Sequence, residues 1–224
     1  GSPALAADCE ASDGAQLLTC IAQAETGDTI TLTAGEFMIG GSTISQLHGA
    51  EGQPITIAGT LDEDGNRLSH IIGTSTGANT FDIRNSSYLT FRDFEISHAA
   101  GNSGNGVDLF KFTGDGEASH HVILDNLDIH DCGNVGIGSQ ADEIYEVELR
   151  NSHVHDVGGS CVYWGFYENF EPQHRVHDTT IANNFFARCP ADPQSATHYG
   201  IQLKSGNHDN LIEDNVLVDV AGTE

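Results

Sequence analysis

The stretch YEVELRNSHVHDVGGSCVYWG, Tyr145 to Gly165, can be laid over four other segments of the chain. With Leu149 placed under Phe91, Leu124, Ile181 and Ile212, a second column gathers Leu89, Val122, Val147 and Thr179, with Asn210 as its polar exception. Ile96, Ile129, Val154, Phe186 and Leu217 form a third column. Between them runs a polar one: Asp93, Asn126, Asn151, Asn183 and Asp214. The pairs Ile30/Leu32 and Ile55/Ile57 extend the apolar columns toward the N-terminus, with Leu32 and Ile57 on successive rungs. Rungs at 32, 57, 91, 124, 149, 181 and 212 are 25, 34, 33, 25, 32 and 31 residues apart. Short strands of period two, repeated at 20–50 residues with variable insertions, are the signature of a stacked solenoid. The polar column falls at a bend, where stacked amides bond to the rungs above and below.

A third strand per coil is read from FDI (81–83), GVDLF (106–110), VGIGS (135–139), CVYWG (161–165) and YGIQLK (199–204). Phe81, Val107, Ile137, Val162 and Ile201 would point inward, and Asp82, Asp108, Gly138, Tyr163 and Gln202 outward. Residues 1–224 therefore form one all-β domain of about seven coils over 28–224. It begins with a cap helix at 13–27, where Leu17, Leu18, Ile21 and Ala24 make a one-sided stripe, Asp13 is the N-cap and Gly27 the stop. The helix covers the open end of the stack. A Cys9–Cys20 bridge would pin it. Cys132, Cys161 and Cys189 are read as buried thiols, with a Cys161–Cys189 bridge on adjacent rungs as the alternative.

Eight Lys and Arg against 33 Asp and Glu leave a formal charge of −25. Such a surface repels nucleic acid, anionic membrane and bare polyuronates, and favours neutral ligands, cations or metal-bridged anions. No apolar run approaches the roughly 18 residues of a membrane span. Gly1-Ser2 reads as an expression scar in place of a removed signal peptide, which points to a secreted, periplasmic or cell-surface protein.

The cap helix followed by GDTITLTAGEF (27–37), with QPITIAGT (53–60), HIIGTS (70–75) and SSYLTFRDFEISHA (86–99), resembles the opening of right-handed parallel β-helices of the pectin-lyase-like superfamily. The resemblance runs over nearly the whole chain and implies that fold. It is to polysaccharide lyases and related secreted β-helix repeat proteins, and its motifs report fold rather than chemistry.

Three groups of side chains carry chemistry. His153 and His155 flank inward Val154 and share an outer face, with Asp128 beside His153 and His130 beside His155 one rung away. Such a set suits a divalent transition metal, the alternative being a solvated polar ladder. Tyr163, Trp164, Phe166, Tyr167 and Phe170 crowd into eight positions before the insertion at 168–178. Trp164 is read as core. Tyr163, Tyr167 and Phe170, with Gln202, suit stacking and hydrogen bonding to sugar rings, or else pin the insertion as a small core of their own. The basic residues Arg175, Arg188 and Lys204 belong to these same coils, with His198 and Tyr199 just ahead of Lys204.

In a similar group of β-helix lyases acting on alginate or dermatan, a Lys is the base, an Arg assists and acidic side chains hold calcium. Lys204 in LKS resembles that base, with Arg175, Arg188, His198 and Tyr199 as its catalytic company. The departure lies five and seven residues earlier, where Tyr199 and Thr197 replace acidic ligands. Calcium or another divalent metal is the implied cofactor, and no organic cofactor is expected. The resulting function is a lyase or epimerase on a uronate-containing polysaccharide or oligosaccharide. The other reading is a non-catalytic extracellular binding, adhesive or assembly module. The last coil, ending at Glu224 without an evident cap, suggests an end-to-end contact with another domain or chain.

Overall fold

A computed structural model describes residues 8–102, 106–114, 116–139, 143–165, 175–191 and 199–220. The chain winds through three parallel sheets as a right-handed parallel β-helix, and every paired strand among the described residues is parallel to its neighbour one coil away. Each coil visits the first sheet, then the second, then the third. On the organising coil these strands are Ile144–Arg150, His153–Val157 and Val162–Trp164. The first sheet stacks Leu89, Val122 and Val147 in register, and Phe91, Leu124, Leu149, Ile181 and Ile212 beside them. The second stacks Ile71, Ile96, Ile129, Val154, Phe186 and Leu217. Except on the last rung, these side chains are buried in one continuous core. Ile212 and Leu217, on that last rung, are 44% and 45% exposed.

The polar column has a backbone cause. Asp93, Asn126, Asn151, Asn183 and Asp214 all have φ between 51° and 67°, the left-handed region that Asn and Asp tolerate best. This turn carries the chain from the first sheet to the second within two residues. The expected amide stacking holds for Asn126, whose Nδ2 donates to Asp93 Oδ1 at 2.8 Å, but Asn151 donates instead to Asp125 Oδ1. The buried ladder lies one position further on. Asn184 accepts from Ser152 N (2.9 Å), donates to Leu149 O (2.9 Å) and is itself bonded to Asn215.

Four readings are corrected. Ile30, not Leu32, pairs with Ile57. A slip of two keeps both side chains inward, so the apolar pattern alone leaves these registers equivalent. A strand at Asp8–Ala11 precedes the helix and adds a rung against Thr29–Leu32. In the third sheet it is Phe110, not Val107, that stands between Phe81 and Ile137. There its ring packs on Phe81 and Phe91 at 5.6 and 5.4 Å, and Lys111, not Asp108, takes the outward position. Finally, Cys161 and Cys189 form a disulfide (Cα–Cα 5.4 Å), leaving Cys132 as the buried free thiol; Cys9–Cys20 is bridged as expected.

The helix spans Gly14–Gln23 and packs on the first strands of the first two sheets, burying Leu17, Cys20 and Ile21. Gly14 is required there, because a Cβ would sit 2.0 Å from Met38 O. Asp13 caps it, its Oδ1 accepting from Gln16 N at 2.8 Å. Asp13→Ala should therefore cost about 1 kcal/mol in urea unfolding. An unchanged midpoint would mean that tertiary contacts alone hold the helix.

Candidate functional site

The outer face of the third sheet is built from one column: Thr43, Asp82, Lys111, Gly138, Tyr163 and Gln202. Its early half is closed by polar contacts. Asp82 is held by Arg84 Nη2 (2.5 Å) and Thr113 Oγ1 (2.7 Å). Lys111 Nζ donates to Asp108 Oδ2 at 2.7 Å, both groups being buried. The other carboxylate oxygen accepts from Asn134 Nδ2 and Val135 N. Gly138 makes room for this pair, since a Cβ would lie 2.9 Å from Asp108 Oδ2.

In the late half, Tyr163, Gln202 and Lys204 are half-buried. Lys204 follows the strand Ile201–Leu203, and its Nζ lies 4.9 Å from the centre of the Tyr163 ring, a cation–π contact. Gln202 is Tyr163's in-register neighbour, and its Oε1 is 3.5 Å from Ser160 Oγ. Tyr199, 38% exposed, enters the same strand through bonds to Ser160 and Cys161. Arg175 lies beside Gly206, two residues beyond Lys204, its Cγ 3.7 Å from where a Cβ would stand on that glycine. The structure thus brings Lys204, Tyr163 and Gln202 together at one corner, which Tyr199 borders through its backbone and Arg175 through its side chain beside Gly206. Arg188 is elsewhere: it follows the second-sheet strand Phe185–Ala187, where its Nε and Nη2 bond Asp156 at 2.6 and 2.5 Å. Tyr167, Phe170 and His198 lie outside the described residues. Trp164 is fully buried, as expected.

The second sheet presents the histidines. Asp128 pairs in register with His153, and His130 with His155. Asp128 Oδ1 receives His155 Nε2 at 3.0 Å and faces His153 Nδ1 at 3.4 Å. Burial works against charge on Asp128, yet the bonds from His153 and His155 outweigh it and hold the carboxyl far below the usual carboxylate range. Burial likewise lowers His155, but its bonds to Asp128 and Asp156 raise it on balance. Arg188 bonding holds Asp156 down to about 2. His130 does not join this trio. Its Nε2 meets Glu95 Oε1 at 2.8 Å, and that oxygen also faces His70 Nδ1 at 3.4 Å.

On the first sheet a groove of about 460 Å3 is lined by Tyr88, His121, Ile123, Glu146, Glu148 and Asp178 among others. His120, Tyr145, His177 and His208 form a ring stack along the same sheet, with centroids 4.7–5.3 Å apart. Glu146, Glu148 and Asp178 make this groove acidic, which disfavours anionic ligands. Reading the sequence missed this stack, although Ser119-His120-His121 lies on an aligned strand.

No protein-family model matches the chain, and no curated protein matches it. Among solved structures it is similar to an alginate lyase from Paenibacillus sp. str. FPU-7, with a TM-score of 0.72 and 21% identity over 96% of this chain and 68% of that one. A mutant of the PL6 family alginate lyase AlyGC matches with a TM-score of 0.44 and 17% identity, over 94% of this chain and 32% of that one. At such identities what is shared is the fold: the chain is a right-handed parallel β-helix.

Proposed function

We propose that the chain is an exported polysaccharide-processing protein that cleaves a uronate-containing glycan by β-elimination at the Tyr163–Lys204 corner. The observation that carries this is the placement of Lys204 Nζ over the Tyr163 ring on the outer face of the third sheet. Elimination needs a base for the proton at C5 and a donor for the leaving oxygen. Lys204 in its amine form takes the C5 proton, and the C–H electron pair becomes the C4–C5 double bond. The C4–O bond then breaks, and the leaving oxygen takes the Tyr163 hydroxyl proton. Gln202 and Arg175 meet the sugar's carboxylate and hydroxyls. Fold similarity to an alginate lyase supports the reaction class without naming the polymer. Two disulfides suit an oxidising compartment. No described helix is long and apolar enough to cross a membrane.

Calcium takes six to eight oxygen ligands, usually several of them carboxylates. Among the described residues, Tyr163, Tyr199 and Gln202 bring no carboxylate to this corner, so these residues do not fit that ion, and no step is derived through it. The test is incubation with a panel of polyuronates, glycosaminoglycans and neutral glycans, with and without chelator, followed by ultraviolet absorbance. A chelator-insensitive rise from unsaturated product on a uronate polymer is expected. Glycan binding with no such rise on any polymer favours the non-catalytic module instead.

A further inference from the structure

Four strands of the second sheet place a run of ligand-bearing residues on its outer face: Ser69–Gly73, Glu95–His98, Asp128–Cys132 and His153–Val157. In register, His70 stands beside Glu95, Glu95 beside Asp128 and Asp128 beside His153. His130 and His155 form a second row, their rings stacked 4.9 Å apart. We propose that this face carries two adjacent transition-metal sites, His70–Glu95–His130 and Asp128–His153–His155. Each offers two imidazole nitrogens and one carboxylate oxygen to an ion of the zinc, copper or nickel class.

Within each trio the three ligand atoms lie within 4.8 Å of one another. Tetrahedral zinc with bonds of about 2.0–2.1 Å needs ligand atoms roughly 3.4 Å apart. The His70 Nδ1–Glu95 Oε1 and His153 Nδ1–Asp128 Oδ1 separations are both 3.4 Å. Three of the four rings, all but His153, are also held from behind, as ligating histidines are. His130 Nδ1 is bonded to Asp131 (2.8 Å), His155 Nδ1 to Asp156 (2.6 Å) and His70 Nε2 to Ser97 Oγ (2.7 Å). In each case the opposite nitrogen faces the carboxylate of its trio. The local device alone is not the signal: His177–Asp178 and His208–Asp209 repeat it on the first sheet. Among the described residues, only on the second sheet does the far nitrogen meet both a carboxylate and another imidazole in such a trio. Imidazole suits zinc, copper and nickel and is a poor ligand for calcium, which sets the class of ion.

Since the first site joins three rungs and the second joins two, bound metal would tie successive coils together. The probe is Zn2+ alone, titrated by calorimetry into the chelator-stripped full chain. Two ions per chain are expected. His130→Ala and His153→Ala should each leave one, the double variant none, and His208→Ala both. Circular dichroism should stay that of the parent, because the altered side chains lie outside the core. As a second readout, Zn2+ at about a hundredfold excess over Kd at both sites should raise the parent Tm by about 10–20 °C and leave the double variant unmoved. If the parent takes up none of Zn2+, Ni2+ or Cu2+, or the double variant binds like the parent, the proposal is overturned. One ion lost with His153→Ala and unaffected by His130→Ala overturns the two-site assignment.

Discussion

Lys204→Ala should lower turnover of the responsive uronate glycan by about 10²- to 10⁴-fold, the range for losing a positioned proton-transfer group. The effect belongs to kcat more than KM, since Gln202, Arg175 and the Tyr163 ring remain to hold the sugar. Tyr163→Phe is the sharper companion. It keeps the aromatic face under Lys204 Nζ (4.9 Å to the ring centre) and removes only the hydroxyl. If the hydroxyl protonates the leaving oxygen, this variant also falls by about 10²-fold or more; if the ring only positions Lys204, it stays near the parent rate. Product formation measured with both variants therefore assigns the roles separately. A Lys204→Ala protein as active as its parent sinks the proposal that Lys204 is the base.

Why the inward columns could be read directly from the sequence is a matter of packing. In a parallel coil every inward position stacks on a like position one rung away, so large apolar residues recur at a fixed phase, as Leu89, Val122 and Val147 do. The corner was legible because left-handed backbone selects Asn and Asp there. What failed, failed at register. Where a strand has two inward apolar residues, as at Ile30/Leu32, a slip of two costs no pattern. Where an insertion precedes it, as before Phe110, only the fit against Phe81 and Phe91 decides which residue enters the core. The Cys161–Cys189 bridge joins neighbouring rungs in different columns, where column matching gives no pairing signal.

The same logic governs the sites. Tyr163 and Gln202 were legible as outward neighbours because their strands lack internal insertions. Grouping Arg188 with Lys204 by coil ignored sheet: two basic residues on one coil face different directions when one follows a second-sheet strand and the other a third-sheet strand. The Asp128–His153 and His130–His155 pairings read correctly, but His70 was lost because the HIIGTS rung had not been laid into the columns. Only the folded register brings it to Glu95 and draws His130 away from the Asp128 trio.

Lys111→Met should destabilise the fold by about 3–5 kcal/mol, the cost of leaving a buried charge without its partner. The Lys111 and Asp108 side chains are 9% and 2% exposed, and their contact is 2.7 Å. The substitution conserves the aliphatic stem that packs along Gly138 and deletes the ammonium. Asp108 keeps its bonds from Asn134 and Val135 N, but neither supplies positive charge. Asp108→Asn tests the converse, burying the ammonium against an amide. If charge pairing rather than shape sets the cost, the double variant Asp108→Asn/Lys111→Met should recover most of either single loss, because no buried ion is then left alone. Urea unfolding of the four proteins gives the coupling directly. Single losses below about 1 kcal/mol, or losses that simply add in the double variant, would show that water reaches the pair and that the third sheet does not depend on it.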